Sequence, residues 1–107
     1  MKGYMYILKC NDNSYYVGST DNLTLRIEEH NCGKGCSYTK DRLPLQLVYY
    51  EECFNIKEAF FREQQIKGWS RKKKEALING DMNSLRLLSK KGPFKGPFDK
   101  LRDPMNP

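Results

Sequence analysis

The sequence has no long apolar segment and few of the residues that form cross-links or metal clusters. No apolar run approaches the roughly 20 residues that span a bilayer, so we expect no membrane span. The chain has one histidine and four cysteines, and the pair Cys32 and Cys36 has no second pair nearby to complete a zinc tetrahedron. The even cysteine count allows disulfides, but the N-terminus has no signal-peptide pattern. We therefore expect free thiols and a cytoplasmic protein.

Length and charge limit the number of domains and the kind of partner that this protein can have. At 107 residues the chain is long enough for one domain with a modest core. Nineteen Lys and Arg residues against 13 Asp and Glu residues give a formal net charge of +6. This excess favours a polyanionic partner such as nucleic acid, although a basic protein without such a partner can have the same composition.

The composition changes at Lys90. Residues 92–94 and 96–98 repeat Gly-Pro-Phe, and more proline follows before the C-terminus. Glycine and proline at this density exclude a helix or a central strand. We predict a folded domain over 1–89 and an extended or disordered tail over 90–107.

The hydrophobic periodicity of the folded part predicts a small α/β (α+β) fold. Alternating apolar residues predict strands over 4–8 and 14–18, and a β-branched and aromatic run predicts a third over 45–51. Together they form a small three-stranded antiparallel sheet flanked by helices. Helices are predicted from a cap at Thr20 or Asp21 to about Asn31, from Asn55 to Lys67, after Ser70, and after Asp81.

The first two strands place two tyrosines on one face of the sheet. If the hairpin is centred near Asn11, Tyr6 and Tyr16 lie directly opposite each other, with Cβ atoms about 5 Å apart. Gly18 shares their face and leaves space above the backbone. The two phenols form either a packing layer or the floor of a polar site.

The first helix places two polar side chains at the edge of its apolar stripe. Leu23 and Ile27 form the stripe, and Arg26 and His30, four residues apart, border it. Their side chains should point toward the sheet. A lone histidine in such a place is usually structural, but the pair on one inward face favours a functional role.

A carboxylate lies in the middle of the apolar face of the second helix. Glu63 falls on the stripe that is predicted to be buried and is formed by Ile56, Ala59, Phe60 and Ile66. A bare buried carboxylate is costly, so this group should be paired or should bind a cation. The sequence leaves both options open: a metal ion, or a salt bridge to Arg26, Arg62 or Lys67.

Two further segments carry basic residues suited to phosphate contacts. The glycine-containing loop 32–44 includes Lys34, Tyr38 and Lys40, and the alternative to phosphate binding is an ordinary exposed connection. The third helix begins with Arg71, Lys72, Lys73 and Lys74, beside Trp69. Cations at a helix N-terminus oppose its dipole, so either a phosphate backbone or a solvated charged face explains them.

These residues together resemble the GIY-YIG nuclease family. Tyr4-Met5-Tyr6 and Tyr16-Val17-Gly18 resemble the two halves of its signature, and ten positions separate Tyr6 from Tyr16. The resemblance covers about residues 3–80 and is strongest to the small stand-alone bacterial branch. Two departures are Tyr4 in place of a glycine and Ser19 where the excision-repair nuclease has a lysine.

The resemblance implies a metal-dependent endonuclease that hydrolyses DNA phosphodiester bonds, with a structure-specific role in repair or recombination as one option. Branched or damaged DNA, a protein partner and a homodimer are the partners it allows. The cofactor would be one divalent cation, Mg²⁺ or Mn²⁺. The implied catalytic residues are Tyr6, Tyr16, Arg26, His30 and Glu63, with Glu63 also the metal ligand. The implied substrate-binding residues are Lys34, Tyr38, Lys40, Lys67, Arg71, Lys72 and Lys73.

Tyr6 is the implied general base, with Arg26 clamping the phosphate. The ordinary pKa of a tyrosine is about 10. Arg26, the metal and Lys40 are expected to lower the pKa of Tyr6, so activity should rise with pH in the alkaline range. Two alternatives remain open: a nucleic-acid-binding module with weak or partner-dependent cleavage, and an RNA-acting or structural factor.

Overall fold

The computed structural model describes residues 1–89, with the backbone alone for 86–89. The predicted tail at 90–107 lies outside these residues, and the domain boundary at 89 stays a prediction. The described part contains β1 (Gly3–Lys9), β2 (Tyr15–Thr20), α1 (Leu23–Asn31), α2 (Ser37–Lys40), β3 (Gln46–Cys53), α3 (Ile56–Lys67), α4 (Arg71–Ile78) and α5 (Met82–Ser89).

The chain forms two compact units. The first covers Met1–Gly68 and holds the sheet with α1, α2 and α3. The second begins at Trp69 and holds α4 and α5, which pack against each other. Among residues 1–89 no helix has the length and apolarity needed to cross a bilayer. All four cysteines lie in this part of the chain and are free thiols, as predicted.

The sheet is three-stranded and antiparallel in the order β2-β1-β3, which confirms the predicted α+β class. The central strand β1 is apolar on both sides because both faces of the sheet are covered. On one face, Tyr6 and Leu8 pack with Leu23 and Ile27 of α1. On the other face, α3 packs against β1 and β2.

The predicted pairing of Tyr6 with Tyr16 is wrong. Tyr6 pairs with Gly18, and Tyr16 pairs with Leu8. The cause is the turn, which is centred beyond Asn11: the Cys10 N–H donates to the Ser14 carbonyl at 2.8 Å. Asn13 closes this turn with a φ of 68°, a left-handed conformation that asparagine tolerates.

The caps of α3 and α4 are as predicted, and that of α1 is not. The side chains of Asn55 and Ser70 accept backbone N–H bonds at the starts of α3 and α4. The cap of α1 is Asn22, whose Oδ1 accepts from the Leu25 N–H at 3.1 Å, rather than Thr20 or Asp21. Thr20 supports this cap by accepting from the Asn22 N–H.

Two other expectations are corrected. The loop after α1 contains a short helix, α2, which the sequence did not predict. Ile56 and Phe60 are 44% and 53% exposed, so they do not belong to the buried face of α3. That face consists of Ala59, Glu63 and Ile66. Phe60 is turned away from Ala59 by about 100°, the rotation per residue of a helix with 3.6 residues per turn.

Candidate active site

The phenol of Tyr6 lies at the centre of the site. Its side chain is only 1% exposed, and its hydroxyl is 2.9 Å from Nε2 of His30. The strand period points Tyr6 toward α1, and the helical period points His30 back toward the strand. The side chain of His30 therefore points toward the sheet, as the helical spacing predicted, and it meets Tyr6 there.

Gly18 is needed for the position of Tyr6. A Cβ atom at Gly18 would lie 2.4 Å from the Tyr6 hydroxyl oxygen. The space that glycine leaves above β2 is therefore occupied by the Tyr6 phenol, which any side chain at position 18 would displace.

Arg26 reaches the same phenol from α1. Its side chain is 29% exposed and forms an ion pair with Glu29 at 3.1 Å. Burial lowers the pKa of Arg26, but hydrogen bonds with Tyr6 and Glu29 more than offset this. The guanidinium stays charged and has a face open to solvent, where it can meet an anion.

His30 is fully buried and uncharged at neutral pH. The rings of Tyr6 and Tyr16 meet its imidazole edge-on, with centroids at 5.8 and 5.4 Å. Its Nδ1 is 2.9 Å from Oγ1 of Thr39, a fully buried residue of α2. Burial, with a further contribution from the charge of Arg26, lowers the pKa of His30 to about 4.

The pKa of Tyr6 moves opposite to the direction expected from the sequence. Burial raises it, and the hydrogen bond and charge of Arg26 lower it by less. Lys40, which was also expected to lower it, is exposed to solvent. Tyr6 is therefore a neutral phenol at pH 7 among these protein groups.

A stack of side chains extends from Tyr16 to the protein surface. The rings of Tyr16 and Tyr38 stack with centroids 6.0 Å apart, and the Arg42 guanidinium lies 3.9 Å from the Tyr38 ring centroid. Burial, followed by the neighbouring Cys36 thiol, raises the pKa of Tyr16, so it too is a neutral phenol. Sequence reasoning missed Arg42 because its link to the site depends on the three-dimensional stack.

The glycine-containing loop packs against the imidazole of His30 and also presents residues at the surface. A Cβ atom at Gly35 would lie 2.1 Å from Nδ1 of His30, so the glycine is needed for the ring to fit. Lys34 and Lys40 are exposed on either side of Gly35 and Thr39, where their ammonium groups are accessible.

Glu63 is buried, as predicted, but it approaches from the other side of the sheet. Ser19 lies opposite Met5 in the register, and thus on the face away from Tyr6, and its hydroxyl donates to Glu63 Oε1 at 2.5 Å. Lys67 contacts Oε2 at 2.7 Å. The salt-bridge alternative is therefore realised with Lys67, whereas Arg62 pairs with Glu51.

The residues around Glu63 fit a cation held by a single carboxylate. Within residues 1–89 no cluster of three or more Asp, Glu, His or Cys side chains could hold a metal. An ionised carboxylate has about four acceptor positions, and Ser19, Lys67 and Gln64 use three of them, which leaves about one for a cation. Mg²⁺ is commonly held by one or two carboxylates, with water and substrate phosphate as its other ligands.

The remaining predicted phosphate ligands belong to the second unit. Arg71 forms an ion pair with Glu75 at 3.0 Å, and Lys72 is exposed. Lys73 is buried, with its ammonium group 4.3 Å from the Trp69 ring centroid. Of these three residues, Arg71 and Lys72 are exposed and Lys73 is buried.

Comparison with known proteins identifies the family. A model described as the GIY-YIG catalytic domain matches residues 2–76. The chain belongs to the GIY-YIG family. Such a domain implies nuclease activity, and GIY-YIG nucleases act on DNA and generally use divalent metals.

The relatives of this GIY-YIG protein include several UPF0213 proteins. It is 51% identical to the UPF0213 protein SH2523 of Staphylococcus haemolyticus, covering 72% of this chain and 94% of the relative. It is 41% identical to the UPF0213 protein YazA of Bacillus subtilis, covering 84% and 91%. The solution structure of the protein EF2693 from E. faecalis is 32% identical, with a TM-score of 0.53 over 78% of this chain and 88% of that one. The predicted membership of the small bacterial branch is confirmed.

Proposed function

We propose that this GIY-YIG protein is a divalent-metal-dependent endonuclease that hydrolyses phosphodiester bonds in DNA. The observation that supports this most strongly is the buried contact between the Tyr6 hydroxyl and neutral His30, with Arg26 beside it. A packing layer alone does not require a phenol, an imidazole and a guanidinium to share one enclosed site. Enclosed, pre-oriented polar groups of this kind are typical of catalytic centres.

Tyr6 would accept a proton from the attacking water. Because Tyr6 is neutral at pH 7, it passes its own hydroxyl proton to Nε2 of His30 as it takes the proton of water. The resulting hydroxide forms a bond to phosphorus, and the bond to the leaving oxygen breaks. The proton on His30 returns through Tyr6 to solvent, and a solvent proton neutralises the leaving oxygen, so the net reaction consumes one water.

Arg26 and the surface cations would bind the phosphate. The planar guanidinium of Arg26 suits two non-bridging phosphate oxygens at once. Tyr16 and Tyr38 would position the nucleotide beside it, since their stack runs from the buried site to the surface. Lys34, Lys40 and Lys67 of the first unit are proposed to contact the DNA backbone, and Arg71 and Lys72 of the second unit are proposed to bind phosphate as well. Lys73 is left out of this proposal because it is buried against Trp69.

Glu63 would be the protein ligand of the cation, Mg²⁺ or Mn²⁺. When bound, the metal supplies charge neutralisation on the phosphate and lowers the pKa of coordinated water. Ser19 and Lys67 hold the carboxylate in one orientation. Branched or damaged DNA is the substrate that we propose, with repair or recombination as its setting.

A second candidate is a nucleic-acid-binding module that cuts weakly or only with a partner, such as another protein or a second copy. The contact between Lys67 and Glu63 favours it, because a carboxylate already neutralised by an ammonium group can serve packing alone.

Cleavage of end-labelled DNA separates the two candidates. Branched, flapped, nicked and single-stranded substrates are incubated with Mg²⁺ or Mn²⁺ and with wild type, Glu63→Ala or Glu58→Ala, the last being an exposed residue of the same helix. The endonuclease proposal predicts cleavage that is lost in Glu63→Ala and kept in Glu58→Ala. Undiminished cleavage by Glu63→Ala removes the metal assignment, and binding without cleavage of any substrate favours the second candidate.

A further inference from the structure

A buried chain of hydrogen bonds continues beyond the residues of the family signature. It runs from Tyr6 to Nε2 of His30 at 2.9 Å, and from Nδ1 of His30 to Oγ1 of Thr39 at 2.9 Å. Thr39 Oγ1 lies 3.3 Å from the Cys36 carbonyl oxygen. Tyr6, His30 and Thr39 are each at most 1% exposed, so solvent does not replace any of these partners.

The contacts of Thr39 favour one direction for these hydrogen bonds. A carbonyl oxygen can only accept, so in the 3.3 Å contact with Cys36 the Thr39 hydroxyl is the donor. A hydroxyl has one proton, so with this bond formed its lone pairs are left for Nδ1 of His30, 2.9 Å away. The Cys36 backbone N–H, 3.4 Å from Oγ1, also donates to the same hydroxyl oxygen and favours this orientation. Nδ1 of His30 then carries the ring proton and donates it to Thr39.

The contacts of Tyr6 favour the same direction. Arg26 is a donor with no acceptor atoms, so its hydrogen bond to Tyr6 uses a lone pair of the phenol oxygen. The phenol proton then needs an acceptor, and Nε2 of His30 is at 2.9 Å. The contacts of Thr39 and of Tyr6 therefore both favour a His30 ring that is protonated at Nδ1 and unprotonated at Nε2. Since the pKa of His30 is lowered to about 4, the ring keeps this neutral form at working pH.

We propose that Thr39 is a positioning residue that fixes the tautomer of His30, so that Nε2 is the acceptor for the Tyr6 proton. This rests on the proposed function in one respect, because the proton transfer matters only if Tyr6 activates water. Loss of the Thr39 hydroxyl frees Nδ1 to lose its proton. The alternative tautomer, protonated at Nε2, then donates to Tyr6 and cannot take its proton.

The tautomer can be observed directly, because His30 is the only histidine of the chain. Protein labelled with ¹⁵N-histidine gives one pair of imidazole nitrogen signals, with no assignment needed. In wild type at pH 7, we expect Nδ1 to show the shift of a protonated nitrogen and Nε2 that of a bare one. A wild-type ring protonated at Nε2 overturns the proposal without any variant and whether or not the protein cuts DNA.

Two variants at position 39 test the role of the hydroxyl. Thr39→Val keeps the shape and removes the hydroxyl, and Thr39→Ser keeps the hydroxyl. We expect Thr39→Val to shift the ring toward the Nε2-protonated form and to lower kcat by about 100-fold with little change in KM, as is typical for loss of acid–base catalysis. Thr39→Ser should retain the wild-type signals and most of kcat.

The outcomes separate this proposal from the proposed function. If wild type cuts no DNA, the ¹⁵N signals of wild type, Thr39→Ser and Thr39→Val still test the tautomer. A folded Thr39→Val variant with wild-type signals and wild-type kcat contradicts the assignment. If Thr39→Val does not fold, wild type and Thr39→Ser decide, and an Nε2-protonated ring in either one overturns the proposal.

Discussion

His30 is enclosed between two tyrosine rings and held by hydrogen bonds at both ring nitrogens. Burial and the neighbouring Arg26 disfavour its charged form, and Glu29 opposes them more weakly. The pKa of His30 is about 4 in the folded state, against 6.5 for an ordinary histidine. Between these pH values the unfolded state binds more protons than the folded state, so stability falls as the pH falls from 6.5 toward 4.

This linkage predicts a pH-dependent stability difference between wild type and His30→Gln. Glutamine cannot titrate, so the other groups that lose stability in acid affect both proteins alike. We expect the stability advantage of wild type to shrink by about 3 kcal/mol between pH 7 and pH 4. Urea unfolding at a series of pH values measures the difference, and a difference that does not change with pH contradicts an uncharged, buried His30.

Gly18 gives a second test at the residue scale. In Gly18→Ala the new methyl group would lie 2.4 Å from the Tyr6 oxygen, so the phenol must move away from His30. We expect cleavage to fall by about tenfold or more, and stability to fall by about 1–3 kcal/mol, the usual range for overpacking.

Gly68→Ala is the matched control for Gly18→Ala. At Gly68 the nearest atom to a new Cβ is 3.7 Å away, an ordinary contact. This variant should cleave like wild type, as measured by initial rates on the same substrate. Wild-type activity in Gly18→Ala would mean that the hydroxyl position of Tyr6 is unimportant.

The sequence alone was sufficient to predict which side chains point inward. It was not sufficient to predict the strand register or the pKa values that result from their contacts. Periodicity placed Tyr6, Arg26 and His30 on inward faces, because strand and helix periods are local properties. The strand register was wrong because it depends on the left-handed conformation of Asn13 in the turn. The pKa of Tyr6 was expected to fall, but burial outweighs Arg26, and the degree of burial is a property of the whole fold.

At the scale of elements, α3 carries Glu63 and Lys67 and begins at a side-chain cap. Asn55 Oδ1 accepts from the Glu58 N–H at 2.8 Å. Asn55→Ala should lower the free energy of unfolding by about 1 kcal/mol, because a free N–H at the first turn is left without this acceptor. Chemical denaturation measures the change.

Asn11→Ala is the control for the cap of α3. Asn11 is exposed in the hairpin turn, where its backbone N–H donates to the Arg42 carbonyl. The substitution keeps this backbone bond and removes only the exposed side chain. It should change the free energy of unfolding by less than about 0.5 kcal/mol, as is usual for surface positions. Equal effects of the two substitutions would mean that the cap does not stabilise α3.

The helix boundaries show where local sequence signals are sufficient to predict the start of a helix. Asn55 and Ser70 each have no other capping residue directly beside them, and both caps were predicted correctly. At α1, Thr20 and Asp21 precede Asn22, so three consecutive residues are able to cap and the sequence does not rank them. The helix α2, Ser37–Lys40, was missed because four residues are too short to show a helical period.

At the scale of the molecule, the two proposed halves of the chemistry are carried by different helices, α1 and α3, which pack against the same sheet. Tyr6, His30 and Arg26 lie on the α1 side, whereas Glu63 is reached from Ser19 on the α3 side of edge strand β2. The charge of Glu63 contributes to raising the pKa of Tyr6, so the two groups interact electrostatically. The sequence predicted that Glu63 is buried, but it could not predict the face from which Glu63 approaches.

The most direct test of the central claim is single-turnover cleavage by Tyr6→Phe, with Tyr4→Phe as the control. Both substitutions remove one hydroxyl from β1, and Tyr4 contacts Tyr50 rather than His30. On the DNA that wild type cuts fastest, at saturating Mg²⁺ or Mn²⁺, we predict a rate for Tyr6→Phe that is lower by about 100-fold or more. Tyr4→Phe should cut at the wild-type rate. Cleavage by Tyr6→Phe at the rate of Tyr4→Phe would contradict the proposal that the buried phenol activates water.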